Sequence, residues 1–324
     1  MNIRRETHEG TDFRFGPYRQ YFGDLSVGVF DIETTGLNPK NAKLILAGLL
    51  VPQGDSFVLT QYFAEYPEEE ALVLAALVED LCKLDVVITY NGLAFDLPFL
   101  LARLNHHRQA PPPLLYSLDL YRLVDKYTQL RQFLPNLKQK TVEDFMGLWP
   151  NRTDEISGKE SVSLYYDYLH SGDRALEEKI LLHNRDDVLQ LHRLLKLLEK
   201  VPLHQALFHL GFPVKGKNHK VLVEHIRIQK ETLTLSGRQG PNPIRRVSFG
   251  DKGTAYDFAP GTFTLSLPLI VHQGLTFLDM EDFPFSLPGT VEGYLVLSGE
   301  DGPNYREINY FVKTLLERIL NNEL

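Results

Sequence analysis

An α/β fold, a mixed sheet flanked by helices and followed by a second β-rich domain, is predicted by three patterns in this 324-residue chain. Apolar runs of strand length alternate with segments of helical periodicity through the first 200 residues. The early runs are joined by short turns, as in an antiparallel meander, and the later ones by helices, as in βα units. Beyond Lys200 the chain changes to short alternating segments broken by Gly and Pro. The expected domains are therefore residues 1–200 and 201–324.

Residues 27–32 form a short apolar run ending in acidic residues. Residues 44–51 and 57–63 read as strands joined by the turn Pro52-Gln53-Gly54-Asp55. Residues 68–83 read as a helix, with acids in the first turn to complement its dipole and with Leu72, Ala75, Ala76 and Glu79 at helical spacing. Residues 85–90 are a β-branched strand and 95–105 a helix. Pro111-Pro112-Pro113 leads into a short strand around 114–118, and the rest of this half is helical, ending in a long segment over 173–198. In the second half, 201–230 reads as partly helical and 231–298 as strands, with Phe263-Thr264-Leu265-Ser266-Leu267 alternating cleanly. A final helix over 305–320 carries Ile308, Phe311, Val312, Leu315, Leu316 and Ile319 on one stripe.

With 43% hydrophobic and 23% charged residues the composition is that of an ordinary globular chain. The single cysteine, Cys82, excludes an internal disulfide framework and fits a reducing compartment. The N-terminal residues show no apolar leader and no run approaches a membrane span, so the expected location is cytoplasmic, with no membrane partner. The net charge of −8 argues against a generic nucleic-acid coat protein. Residues 215–252, however, carry nine Lys/Arg against three acids, +6 in a chain that is −14 elsewhere. Such a strip can meet a phosphate backbone, and a solvated face of uneven charge is an equal reading.

Chemistry concentrates in three acidic motifs: Asp31-Ile32-Glu33-Thr34-Thr35-Gly36, Asn91-Gly92-Leu93-Ala94-Phe95-Asp96 and His183-Asn184-Arg185-Asp186-Asp187-Val188. Asp31 and Glu33, two apart on a strand, point the same way. Asp96 follows a strand, in the crevice where open α/β sheets place ligands. On the long helix Asp187 falls within the apolar stripe of Ile180, Leu191, Leu194 and Leu198, whereas Asp186 falls with Lys179 and Arg193 and is expected at the surface. A carboxylate on a buried face needs a metal, an arginine or a proton. His183, one turn earlier, is close enough to act at the same place. Asp119 serves either beside such a centre or as a strand-end cap. Carboxylates converging from separate elements repel unless a cation joins them, and hard divalent ions suit such a cluster.

In order and spacing the three motifs resemble those of the DEDD group of 3′→5′ exonucleases in the ribonuclease H-like superfamily. More narrowly, residues 137–195, with Lys140-Thr141-Val142-Glu143-Asp144 and Asp154-Glu155-Ile156-Ser157-Gly158, resemble the YprB-type ribonuclease H-like family. The resemblance covers roughly residues 25–200. It implies a ribonuclease H-like first domain. It also implies that Asp31, Glu33, Asp96 and Asp187 ligate two Mg²⁺ or Mn²⁺ ions, Asp31 bridging them. By the same resemblance Thr34, Thr35, Asn91 and Phe95 contact the terminal nucleotide of a nucleic acid, most readily a single-stranded 3′ end. His183 is the candidate general base, though at an offset one residue shorter than the histidine subgroup of that family uses. The alternative reading is a ribonuclease H-like binding or scaffold module that has lost its chemistry. The sequence Gly211-Phe212-Pro213-Val214-Lys215-Gly216-Lys217 mimics the start of a phosphate-binding loop, but Asn218 replaces the required Ser/Thr and Pro213 removes an amide.

Overall fold

The structure is a computed structural model that describes residues 1–10, 15–154, 156–250 and 253–324; Glu155, Asp251 and Lys252, which figure in the motifs and charge counts above, lie outside the described residues. It divides into two compact units, Met1–Phe15 with Leu25–Val201, and Gly16–Asp24 with Pro202–Leu324. Helix α1 (Gly16–Phe22) therefore groups with the C-terminal residues rather than with its sequence neighbours.

The first unit is built on strands β1 (Asn2–Glu9), β2 (Val27–Thr34), β3 (Leu44–Gln53), β4 (Ser56–Phe63), β5 (Val86–Thr89) and β6 (Tyr116–Asp119). Their order is β1-β4-β3-β2-β5-β6; β2, β5 and β6 are parallel, and β3, β4 and β1 continue the sheet antiparallel. Seven consecutive residues of β3, Leu44 to Leu50, are buried, as expected of a central strand covered on both faces. The edge strand β1 alternates between half-buried and exposed residues, and its charged side chains shield an otherwise open edge. The β1 strand is an addition to the three-stranded meander read from the sequence, since only Ile3 breaks its polar text.

Helices α2 (Glu70–Leu81) and α3 (Asp96–His106) cover one face, where Phe30, Leu49, Tyr62, Leu74, Leu77 and Phe99 join one core. Then follow α4 (Leu120–Tyr127), α5 (Leu130–Phe133) and α6 (Gln139–Phe145). Helices α7 (Gly158–Ser171) and α8 (Arg174–Leu194) cover the other face around Leu46, Phe63, Tyr165 and Ile180. Neighbouring Tyr62 and Phe63 serve opposite cores, as strand alternation requires. In α2 the residues that marked the helical spacing, Leu72, Ala75 and Glu79, lie on the exposed face, and Val73, Leu74, Leu77 and Leu81 are buried. The apolar stripe wins because two adjacent large residues, Val73 and Leu74, set its direction. Helix α8 is capped by Asp173, which accepts from Ala175 N at 2.9 Å.

In the second unit α9 (Leu203–Leu210) precedes a six-stranded antiparallel sheet made of β7 (Phe212–Lys215), β8 (Lys220–Gln229), β9 (Thr232–Gln239), β10 (Arg246–Phe249), β11 (Ala255–Ala259) and β12 (Thr262–Pro268), in the order β10-β11-β12-β9-β8-β7. Strands thus begin at Phe212 rather than near Glu231, and the false phosphate loop is a strand entered through Gly211 at φ 77°. A smaller sheet over residues 270–303 and α10 (Tyr305–Leu320) complete the unit, with all six predicted stripe residues of α10 buried. Among the described residues no helix is long and apolar enough to cross a membrane.

Candidate metal centre

Strand β2 lifts Asp31 and Glu33 to the carboxyl end of the sheet, and its register with β3 shifts between Glu33 and Thr34, which pairs with Leu44. Asp96, the first residue of α3, reaches back so that its Oδ1 accepts from Ile32 N at 3.2 Å. Burial is the largest influence on these acids. It raises Glu33 to about 7, with nearby His183 opposing and Asp187 adding to the effect. It raises Asp96 to about 7 against the backbone N–H groups that hold it. Asp31 is pushed well above the usual carboxylate range by burial and then by the charges of Asp96, Asp187 and Glu33. Residues from β2, α3 and α8 therefore form one mutually repelling set, as the sequence spacing anticipated.

Helix α8 supplies the other side. His183 is 2% exposed; its Nδ1 lies 2.7 Å from Asp154 Oδ2, and its Nε2 lies 3.5 Å from Glu33 Oε1 and 3.7 Å from Asp187 Oδ2. Glu33, His183 and Asp187 each offer an atom, all within 4.8 Å of one another. Burial alone would lower the imidazole; the Asp154 hydrogen bond and the charges of Asp187 and Glu33 overcome it and raise His183 above its ordinary value. Asn184 donates to Asp31 Oδ2 at 2.9 Å and accepts from Gln61 Nε2 at 3.0 Å. This approach requires Gly48, the cross-strand partner of Asp31: a Cβ there would stand 2.3 Å from Asn184 Oδ1.

Beneath the acids lies a second, balanced network. The buried Arg152 guanidinium donates to Glu143 Oε2 at 2.8 Å and Oε1 at 2.9 Å, to Asp154 Oδ1 at 2.5 Å, and pairs with Asp187 Oδ1 at 2.6 Å. Lys140 Nζ adds 3.0 Å to Asp154 Oδ2. Despite burial, the partners His183, Arg152 and Lys140 hold Asp154 well below the usual carboxylate range. Asp187, at 21% side-chain exposure, thus has an arginine on one oxygen and His183 facing the other. Asp186 is the correction. It is 3% exposed, not at the surface, and accepts from Thr153 Oγ1 at 2.8 Å and Asp154 N at 2.9 Å. The loop before α7 folds over that side of α8, which helical phase alone does not register.

Of the remaining candidates, Asp119 caps α4 through Tyr121 N at 3.0 Å and also accepts from Asn91 N at 2.8 Å and Leu93 N at 3.1 Å, so it moulds the loop carrying the second motif. Asn91 is exposed at φ 64° and lines an open groove of about 510 Å³ with Tyr90, Tyr121, Arg131 and Lys138. Phe95 is half-buried against Phe99, with ring centroids 5.6 Å apart. The Thr34 hydroxyl donates to Gly36 O and Thr35 Oγ1 accepts from Lys43 N, both at 2.8 Å, so these hydroxyls brace their own loop. Arg152, Asp154, Glu143 and Asn184 were not read as site residues; the apposition of Lys140, Glu143 and Asp154 in a charged stretch was the signal available.

The family model of the RNase H superfamily matches residues 29–199, more than half of the chain and the whole of the segment carrying these motifs. The chain belongs to the RNase H superfamily. No curated protein matches this RNase H superfamily member. Among solved structures it is similar to the family B DNA polymerase from the hyperthermophilic archaeon Pyrobaculum calidifontis, at 21% identity and a TM-score of 0.44. That likeness covers 54% of this chain and 24% of the polymerase, less than a quarter of its length.

The residues present fit divalent cations. Asn184 fixes one oxygen of Asp31, Ile32 N–H one oxygen of Asp96 and Arg152 one oxygen of Asp187, which orients each carboxylate as monodentate ligation requires. The neutralising charge that four converging acids need exceeds what Arg152 and His183 bring to them.

Proposed function

We propose that this chain is a metal-dependent nuclease of the DEDD type, within the YprB-like branch of the superfamily, that removes nucleotides from the 3′ end of DNA or RNA. The observation that carries this reading is the convergence of Asp31, Glu33, Asp96 and Asp187, from three elements distant in sequence, on one buried and electrostatically frustrated place. Asp31, Glu33, Asp96 and Asp187 would hold two Mg²⁺ or Mn²⁺ ions. Bound there, such ions supply an acidified water and stabilise the charge of the leaving 3′-oxygen.

The chain's own residues prepare that chemistry. Asn184 and Gln61 set the angle of Asp31, and Asp96 is locked to the backbone of β2. Arg152 holds Asp187 and Asp154 in place, and Asp154 orients His183. The exposed loop of Asn91 and Phe95 and the groove beside it, with Tyr90, Tyr121, Arg131 and Lys138, offer aromatic faces and cations to a single strand. The partner this reading implies is nucleic acid, most readily a single-stranded 3′ end.

The test is cleavage of 5′-labelled single-stranded DNA and RNA by wild type and Asp31→Ala, with Mn²⁺, Mg²⁺ or EDTA. We expect a ladder shortening from the 3′ end that needs metal and disappears in the variant. An equal ladder from folded Asp31→Ala overturns the site; single-strand binding without turnover under any divalent ion would make the chain a binding module.

A further inference from the structure

We infer that His183 Nε2 is itself a metal ligand, together with Glu33 and Asp187, so that one position of the centre favours a first-row transition ion such as Mn²⁺ over Mg²⁺. The inference rests on the metal-dependent reading and adds a nitrogen donor to an otherwise all-oxygen set. Three observations converge on it. First, His183 is 2% exposed, yet its Nε2 lies 3.5 Å from Glu33 Oε1 and 3.7 Å from Asp187 Oδ2, beyond the range of an N–H···O hydrogen bond to either. Those separations suit the edges of a coordination shell: ligand atoms about 2.1 Å from one ion stand about 3.0 Å apart at a right angle and about 3.4 Å apart at a tetrahedral one. Nε2 would close on either oxygen by only a few tenths of an ångström to share an ion, and the three atoms already lie within 4.8 Å of one another.

Second, the other ring nitrogen is committed. Nδ1 lies 2.7 Å from Asp154 Oδ2, and Asp154 is itself anchored by Arg152 at 2.5 Å and Lys140 at 3.0 Å. An anchored carboxylate receiving Nδ1–H leaves the lone pair on Nε2, the carboxylate–histidine–metal arrangement found behind ligating imidazoles. Third, one of the two carboxylates facing Nε2 is held from its far side. Arg152 holds Asp187 by its Oδ1 at 2.6 Å, so that Oδ2 remains toward the histidine. Imidazole nitrogen is a poor ligand for Mg²⁺ and Ca²⁺ and a good one for transition ions, so its presence shifts selectivity. A histidine acting only as a base would instead need a water wedged between Nε2 and two oxygens already within 3.7 Å of it.

The decisive measurement needs no variant. Mn²⁺ is added to the metal-stripped full chain, and its electron spin echo modulation is recorded for ¹⁴N coupling of a coordinated imidazole. We expect one such coupling in wild type, its loss in His183→Gln with Mn²⁺ affinity at least about tenfold weaker, and Mn²⁺ affinity about 10–100-fold weaker in Asp154→Asn. Mn²⁺ bound to wild type without nitrogen coupling overturns the inference and leaves the nuclease reading standing. Failure of Mn²⁺ to bind wild type at all, unchanged by Asp31→Ala, overturns both.

Discussion

Two buried carboxylate sites in the same unit are built to opposite ends. Glu70, fully buried, accepts from Arg103 Nε at 2.7 Å and Nη2 at 2.6 Å, from Leu44 N at 2.8 Å, and meets His107 Nε2 at 2.8 Å. Its burial is outweighed by these donors, and it sits below the usual carboxylate range. Glu33 and Asp96 are buried as well and Asp31 is half-buried, but they face one another, and all three are raised. A saturated acid binds a helix to a strand; an undersaturated set keeps its repulsion, which the proposed cations would relieve. The contrast separates a satisfied buried charge from an unsatisfied one without reference to any relative.

The largest expected effect follows from removing each kind. Glu70→Ala strands Arg103 in the core and should destabilise by about 3–5 kcal/mol, read from urea unfolding. Asp31→Asn should leave metal-free stability unchanged or raise it, because a repelling charge is gone. Equal losses from the two variants would break the comparison.

Titration offers the next largest effect. In EDTA, Glu33 and Asp96 hold protons up to about pH 7 that the unfolded chain, with ordinary values of 4.5 and 3.8, has already released. The folded state therefore binds more protons across that window, and stability falls as pH rises through it. His183, raised above 6.5, acts in the same sense, its stabilisation being lost as pH climbs through its raised value. Asp154, held low, contributes a constant amount throughout. The fall should be on the order of 5 kcal/mol between pH 5 and pH 8, followed by thermal unfolding, and saturating Mn²⁺ should abolish it. A flat profile in EDTA would show that the acids are already compensated.

A smaller effect tests how the undersaturated set is aimed. The Cβ of Gly48→Ala would meet Asn184 Oδ1 at 2.3 Å and Val188 Cγ2 at 2.9 Å, driving Asn184 from Asp31. Overpacking of this kind costs about 1–3 kcal/mol, and weaker Mn²⁺ binding should accompany it. Unchanged Mn²⁺ affinity would mean that Asn184 does not orient Asp31.

Sequence periodicity reveals what a single element does with its own residues. Strand β3 was legible because its run of apolar residues is continuous, and α10 because its stripe is unbroken. The clustered acids Asp31, Glu33 and Asp96 drew notice because each is misplaced within its own element. Edge strand β1 was not, since an edge has no buried pattern of its own and is defined by its partner β4. Asp186 failed for the same reason: the loop of Thr153 and Asp154 that buries it comes from elsewhere in the chain. Arg152 is the plainest case, for a lone arginine between Asn151 and Thr153 carries no sign that three acids will surround it.

The smallest expected effect sharpens the opening contrast. His107, a quarter exposed, is one of several partners of Glu70, and Arg103 with Leu44 N remain when it is removed. Because the acid stays satisfied, His107→Ala should cost no more than about 0.5–1.5 kcal/mol, the net worth of one hydrogen bond. Redundancy of donors is what makes the Glu70 site structural, so its tolerance of losing one is the property to measure. A loss from His107→Ala as large as that from Glu70→Ala would mean that the buried Arg103–Glu70 pair is not self-sufficient. The distinction between saturated and undersaturated acids would then have to rest on charge count rather than on the number of donors.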